Sequence, residues 1–324
     1  MLRKIYKLYH PDIYQGSRRK KKYFEGWYFK IVNDEETLAL AFIPGVSIGR
    51  EEPDHAFIQV LDGRNAKSYY YSFSSDEFEA DKKELKLKIG NNFFSKAAIH
   101  LDLPEFHGKI TMENHISIPT NVFSPGIMGW YSFTPFMQCY HGVVSMYHKV
   151  EGSLTCLGSA YDFKNGVGYI EKDWGTSFPR CWIWSHCNHF DHNTPVSLMA
   201  SVAHIPWMGS YFIGFIVALL FEGQVKIFAT YNNSKMKVAI NDHGAAMEFK
   251  KNDTVLTLEC TPGAGADLKS PIEGIMKGKV NESLQASINL TLQTKNQIIT
   301  LKGRNAGLEI AGETEILESS KWRN

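Results

Sequence analysis

The chain has 324 residues, of which 44% are hydrophobic, and its 35 basic and 34 acidic side chains leave a net charge of +1. That length can bury one large or two ordinary hydrophobic cores; the composition excludes a disordered chain, and the dispersed basic residues argue against nucleic acid as a partner. The five cysteines (Cys139, Cys156, Cys181, Cys187 and Cys260) are an odd set without CxxC spacing, which points to reduced thiols in a cytoplasmic setting and away from a disulfide framework or structural zinc.

From the N-terminus, residues 1–19 read as an extension with scattered charges and no apolar core of signal-peptide length, so no secretion is expected. The charge run SRRKKKYF, with Arg18 to Lys22, lies beside a strand pattern and reads as a solvated edge. Contact with a phosphate or an anionic membrane surface is its alternative, so peripheral membrane contact stays open beside the cytoplasmic location. The longest apolar run, Tyr211 to Phe221, falls well short of the roughly 20 residues of a membrane helix.

Beyond the extension, short runs rich in β-branched and aromatic residues recur between Gly, Asn and Asp. They are TLALAFIP, HAFIQVLDGR, KSYYYSF, ELKLKIG, AAIHLDL, GKITM and HISIP, then VSLMASVAHIP, YFIGFIVALLFEG, VKIFATYNN, KMKVAI, AMEFKK, TVLTLEC, SINLTLQT and QIITLKG. Many alternate apolar and polar positions, and almost none sustains a helical period. Hairpin signals in LDGRN and FEGQV imply antiparallel meanders, so the predicted fold class is all-β, of barrel or sandwich type. The halves also match at an offset of about 160 residues. EGWYFKIV (25–32) aligns with RCWIWSHC (180–187), LALAFIPGVSIG (38–49) with SLMASVAHIPWMG (197–209), and FIQVLDG (57–63) with FIVALLFEG (215–223). Two β domains forming a pseudo-repeat are therefore expected, over 20–150 and 151–324, with the boundary between Thr120 and Gly168. The Pro/Gly/aromatic segment 119–138 is longer than a hairpin loop and reads either as a lid or binding loop or as a linker whose aromatics plug a barrel end.

Residues 168–190, GYIEKDWGTSFPRCWIWSHCNHF, concentrate indoles and carboxylates. On a strand, side chains two apart share a face, so Tyr169, Glu171 and Asp173 point one way. Trp182, Trp184, His186 and Asn188 share another face, and Glu25, Trp27 and Phe29 do the same in the first half. A carboxyl group packed against indole rings loses hydration, so its pKa rises and it can keep a proton near neutral pH. The same rings stabilise a cation by roughly 0.5–2 kcal/mol for each good contact. Together these suggest carbocation chemistry; the plain alternative is ion pairing of Glu171 or Asp173 with Lys172, Lys30 or Arg180 at a barrel rim. Of His186, His189, Asp191 and His192, strand geometry turns His186 and His192 away from His189, and no metal is expected there. Cys187 reads as a buried thiol. TPGAGADLKSP, Thr261 to Pro271, lacks the Lys-Ser/Thr ending of a phosphate loop, so no nucleotide is expected either.

The motifs YFEGWYFKIV, CYHGVVSM, GYIEKDWGTSFPRCWIWSHCNHF and GLEIAG resemble the tocopherol cyclase family, from about Lys20 to Gly312. The resemblance implies a pair of lipocalin-like antiparallel β-barrels, akin to the carotenoid hydratase group. It further implies cofactor-free closure of a chromanol ring on a prenylated hydroquinone, or a related hydration. By motif it places Glu25, Trp27 and Tyr28 at the site with Glu171, Asp173, Trp174 and Asn188, and gives His141 the role of orienting a hydroquinone hydroxyl. Trp130, Trp182 and Trp184 are expected to add aromatic binding surface. The family motif carries Asn at the position of Asp173, which favours Glu171 or Glu25 as the acid. The expected partner is a prenylated or lipid-like small molecule; the rival readings are a non-catalytic carrier of a lipid, quinone or isoprenoid and a scaffold with a filled pocket. The residues leave the oligomeric state open.

Overall fold

In the computed structural model, which describes residues 2–16 and 21–323, the alternating runs become strands of two large antiparallel sheets. The first sheet follows the order Lys67–Ser74, His55–Asp62, Ala39–Ile48, Tyr23–Val32, Gly166–Gly175, Cys139–Cys156, Phe106–Ile116 and then the short strands back to Phe78–Ala80. Its two edge strands are chain neighbours, joined through the 3-10 turn Ser75–Glu77, so the sheet curls nearly into a barrel. The second sheet repeats the plan. Its order runs Gln224–Ala229, Ser210–Phe221, Ser197–Trp207, Cys181–Cys187, Ile298–Gly312, Ile275–Gln293 and on through the strands of 235–261 to Ser319–Arg323. Among the described residues, no helix is long and apolar enough to cross a membrane.

The pseudo-repeat holds at the level of strand order, but the change of sheet falls after Gly175 and not at 150. A cut at 150 would divide the strand Cys139–Cys156 and remove Gly166–Gly175, which pairs with Tyr23–Val32 on one side and with Cys139–Cys156 on the other. Without that strand the first sheet could not continue from its first half to its second. Residues 176–180 then carry the chain into the second sheet.

Three apolar cores result. Trp27, Phe29 and Ile31 belong to the interior of the first barrel, and Cys181, Ile183 and Cys187 to that of the second. Tyr28, Tyr169, Trp182 and Trp184 belong to a third core between the sheets. All residues of Tyr23–Val32 and Cys181–Cys187 are buried, because these strands sit at the sheet centres and have packing on both faces. Period-two alternation therefore sorts their side chains between a barrel interior and the layer between the sheets, not between core and solvent. Trp27 and Trp182, matched in the sequence repeat, end on opposite kinds of face.

The N-terminal extension is built into the first barrel. Its helix, Leu2–Tyr9, leads into a segment that closes one barrel end, where Ile13 is buried. Inside that end, Glu25 Oε1 lies 2.5 Å from Lys172 Nζ, both side chains fully buried. Glu25 accepts from the backbone N–H of Gln15 (2.7 Å) and Gly16 (2.9 Å) and from the Tyr23 hydroxyl. Lys172 donates to the carbonyls of Pro11 (2.8 Å) and Ile13 (2.5 Å) and lies 4.6 Å from the centre of the Trp27 ring. Burial pulls the Lys172 ammonium down to about 8 against the pull of Glu25. Of the basic run, Arg18, Arg19 and Lys20 lie outside the described residues, while Lys22 pairs with Glu273 at 2.6 Å on the surface.

A buried pair with every donor engaged is a structural device, and removing one partner strands the other charge. Lys172→Met is expected to lower unfolding stability by about 3 kcal/mol, read from the urea midpoint. Binding in the cavity described below should be unchanged in the folded fraction; no loss of stability would contradict this assignment.

Candidate active site

Where the two sheets face one another, their side chains leave a largely apolar cavity of about 190 Å³. Phe24, Phe57, Phe178, Phe212, Trp182 and Trp184 supply much of its aromatic wall. The 119–138 segment contributes Met128, Tyr131 and Met137, which favours its reading as a binding loop. Polar groups in the lining include His141, Glu171, Asp173, Glu282 and Glu309.

Strand register explains how these groups converge. In the first sheet, His141, Asp173 and Gly26 stand opposite one another on three adjacent strands, and one step along stand Val143, Glu171 and Tyr28. In the second sheet, Trp184, Glu309 and Glu282 form the equivalent row. Residues opposite one another in antiparallel strands share a face, so both rows look into the same layer.

Hydrogen bonds cross that layer in both directions. Trp184 of the second sheet donates from Nε1 to Glu171 Oε2 of the first at 3.1 Å. Tyr28 of the first sheet donates its hydroxyl to Glu282 Oε1 of the second at 2.5 Å. The two donor rings pack edge to face, 5.4 Å apart. Trp184 reaches this position by lying over Gly307, where an added Cβ would come within 2.8 Å of the indole.

Around Glu171, the Tyr169 hydroxyl donates to Oε2 at 2.5 Å, and His141 Nε2 lies 3.4 Å from the same oxygen without forming a hydrogen bond. His141 Nδ1 is 2.9 Å from Asp173 Oδ1, which fixes the imidazole orientation. Burial pushes the Glu171 carboxyl up to about 7; the nearby His141 charge and the hydrogen bonds from Tyr169 and Trp184 oppose that rise, while Asp173 adds to it. Burial alone would lower the His141 pKa, but the charges of Asp173 and Glu171 overcome it and hold the imidazolium up to about 9. His141, Glu171 and Asp173 each offer a ligand atom within 4.8 Å of the others, so the trio has the spacing to take a metal ion as well as a proton.

On the opposite wall, Glu282 and Glu309 stand opposite one another on adjacent strands, and Trp182 Nε1 donates to Glu309 Oε2 at 2.5 Å. Burial is the main reason that Glu282 rises to about 8, with Tyr28 pulling against it. Burial and the neighbouring Glu282 carry Glu309 well above the usual carboxylate range. Two carboxyls this close share a proton more readily than both ionise.

Of the residues singled out in the sequence, Tyr28, His141, Glu171, Asp173, Trp182 and Trp184 line the cavity together. Glu25, Trp27 and Trp174 do not. Glu25 and Trp27 point into the first barrel because they sit one position out of phase with Tyr28. Trp174 shares the Lys172 face, lies 4.8 Å from its ammonium and stacks on Tyr140. Trp130 is 47% exposed and stacks on Tyr131 at the cavity rim. Asn188 is buried and spends its amide on the Gly168 carbonyl (3.1 Å) and the His189 ring. The histidine group at 186–192 is dispersed: His186 stacks on Tyr169, and His192 packs on Phe221. Cys187 is a buried thiol pushed up to about 11 by burial. Glu282 and Glu309 were missed as candidates, although GLEIAG sets Glu309 alone between Leu308 and Ile310 in a strand-like run.

A family model described as tocopherol cyclase-like matches residues 117–312. The chain is 22% identical over 196 residues to a probable chloroplastic tocopherol cyclase of Oryza sativa subsp. japonica, covering 57% of this chain and 42% of that protein. It is 26% identical over 197 residues to a chloroplastic tocopherol cyclase of Zea mays, covering 57% and 41%. The matched region thus spans less than half the length of these curated relatives. Among solved structures, CghA with Sch210972 superposes with a TM-score of 0.59 at 10% identity, over 90% of this chain and 89% of that one. A putative AttH from Nitrosomonas europaea gives 0.53 at 12% identity, over 91% and 94%. At such identity these two structures establish the fold alone, and they agree with the expected pair of lipocalin-like barrels.

The raised carboxyls link stability to pH. A folded-state pKa above the ordinary 4.5 gives a contribution that is whole below 4.5 and is lost as pH rises through about 7 for Glu171 and about 8 for Glu282. Between about pH 4.5 and 8 the melting temperature of the wild type is therefore expected to fall more steeply with pH than that of Glu282→Gln, which has no proton to lose. Parallel curves in a calorimetric pH series would contradict the linkage.

Proposed function

The chain belongs to the tocopherol cyclase-like family, and from that premise we propose that its cavity binds a prenylated or otherwise unsaturated lipid-like molecule and promotes its cyclisation, or its hydration, by acid. The observation that carries this reading is Glu171: a buried carboxyl raised to about 7, in the wall of an aromatic cavity. A general acid works best when its pKa lies near the working pH.

In this mechanism Glu171 gives its proton to one carbon of a trisubstituted double bond, which leaves a tertiary cation and a Glu171 carboxylate. The phenol oxygen of a prenylated hydroquinone then bonds to the cation, and its proton returns to Glu171. The sum is an isomerisation with no oxidant and no net proton. In hydration, water takes the place of the phenol and adds to the product. Tyr169 and Trp184, which donate to Glu171 Oε2, stabilise the carboxylate as it forms. His141, held by Asp173, adds its positive charge 3.4 Å from that oxygen and keeps Nε2 available for a ligand hydroxyl. Asp173 on this account is a positioning residue and not the acid. Glu25, saturated inside the first barrel, has no part in the chemistry. Carboxyl groups in the cavity wall support an enzyme over a carrier, and an open cavity supports either over a scaffold with a filled pocket.

The test is turnover on a panel of prenylated hydroquinones and other isoprenoids, followed by chromatography and proton NMR because cyclisation leaves the mass unchanged. Glu171→Gln is expected to lose at least about 100-fold in kcat, within the usual range for a positioned acid. The pH profile should be flat in mild acid and fall as Glu171 ionises through about 7. In His141→Gln that fall should move to higher pH, since the imidazolium lowers the Glu171 pKa. Full activity in Glu171→Gln would remove it as the acid, and tight binding without product from any panel member would leave a carrier.

A further inference from the structure

We propose that the second-sheet side of the cavity, the Glu282–Glu309 carboxyl pair with Trp182 and Trp184, is a binding wall for positive charge that also accepts a protonated tertiary amine shaped like the reacting ligand. This rests on the proposed function for the ligand skeleton alone; the wall itself is read from the following geometry.

Trp184, Glu309 and Glu282 stand side by side on three adjacent strands and face the row that carries Glu171. Each carboxyl has one oxygen held by a donor: Trp182 Nε1 holds Glu309 Oε2, and the Tyr28 hydroxyl holds Glu282 Oε1, both at 2.5 Å. The two carboxyls stand opposite one another in register, and burial raises the proton affinity of both, so a cation bound between them would supply the counter-charge that lets one ionise. Among the described residues no cation forms an ion pair with either acid. Lys269 also lines the cavity, but its ammonium sits 3.8 Å from the centre of the Tyr70 ring. Lys30 is buried in the same layer and donates to the Asn305 carbonyl. His141 is engaged by Asp173 on the opposite wall. A carboxyl pair with hydrogen-bond donors and no counter-ion favours a cation that could pair with it, and the indole rings beside it add attraction for that cation.

A separate observation points to a place for a polar ligand group on the facing wall. His141 Nε2 is buried in the cavity wall without a hydrogen-bond partner, although the other ring nitrogen is tightly held. A ligand oxygen at that nitrogen and a cationic centre against Glu282 and Glu309 would satisfy both walls at once. The single Trp184 indole, which bonds Glu171 and neighbours Glu309 in register, sets their separation.

The test compares two hydroquinones by isothermal titration calorimetry, at a pH where the amine is protonated. One carries a dimethylaminoethyl chain, whose nitrogen replaces the cationic carbon; the other carries an isopentyl chain, its neutral isostere. The wild type is expected to prefer the amine by about tenfold. Glu309→Gln and Glu282→Gln, which keep side-chain shape, should each cut that preference to about threefold or less. Glu171→Gln should keep it while losing turnover. Trp182→Phe, which removes the donor to Glu309, gives the same reading if either Gln variant fails to fold. Equal affinities in the wild type, or a preference untouched in the Glu282 and Glu309 variants, would overturn the proposal. Turnover without amine preference sinks this inference alone, and amine preference without turnover sinks the proposed reaction alone.

Discussion

The arrangement depends on a reciprocal pair of hydrogen bonds between the sheets, Trp184 to Glu171 and Tyr28 to Glu282. Each sheet supplies an aromatic donor to the other's acid. One or two fixed donors let a carboxyl stay buried in an aromatic layer: burial raises its proton affinity, and the donors hold that rise to the neutral range. The same two bonds fix the register of one barrel against the other. A slip of one residue in either central strand would turn its donor, Tyr28 or Trp184, into a barrel interior and bring Trp27 or Ile183 to face the cavity.

The molecule contains two charge clusters that look alike in sequence and differ in physics. At Glu25 and Lys172, cation and anion meet directly and the N-terminal segment supplies further partners, so nothing is left for a ligand. At Glu171, Glu282 and Glu309, donors hold the carboxyls in place but no cation meets the pair on the second sheet. The first cluster closes a barrel end, and the second leaves chemical capacity facing a cavity. Burial raises proton affinity in the second because no full charge meets Glu282 or Glu309 directly, and at Glu171 the His141 imidazolium only partly offsets the lost hydration.

Much of this could be read in the chain. Alternation and turn residues gave the all-β class and the repeat, and the spacing of Tyr169, Glu171 and Asp173 put three cavity-layer residues on one face. Glu25 shows where such reading stops. Alternation says which residues of Tyr23–Val32 share a face, but both faces are buried, and only pairing with Gly166–Gly175 decides that Tyr28 faces the cavity and Glu25 the barrel interior. Glu282 escaped notice because its strand, Ile275–Gln293, begins among polar residues and reads as a strand only in its second half. Glu309 stood in a motif that served for resemblance, and its weight as a lone acid between Leu308 and Ile310 emerges once Ile298–Gly312 pairs with Cys181–Cys187.

The central claim is that Glu171 holds its proton near neutral pH inside the folded protein, and carbon-13 NMR of glutamate side-chain carboxyls through a pH titration measures that directly. Glu171→Gln assigns the signal by deletion. A resonance titrating at about 7, well above the ordinary 4.5, is the expected result. A Glu171 signal that titrates at the ordinary value would contradict the account, because the cavity would then hold a plain carboxylate at neutral pH and no acid.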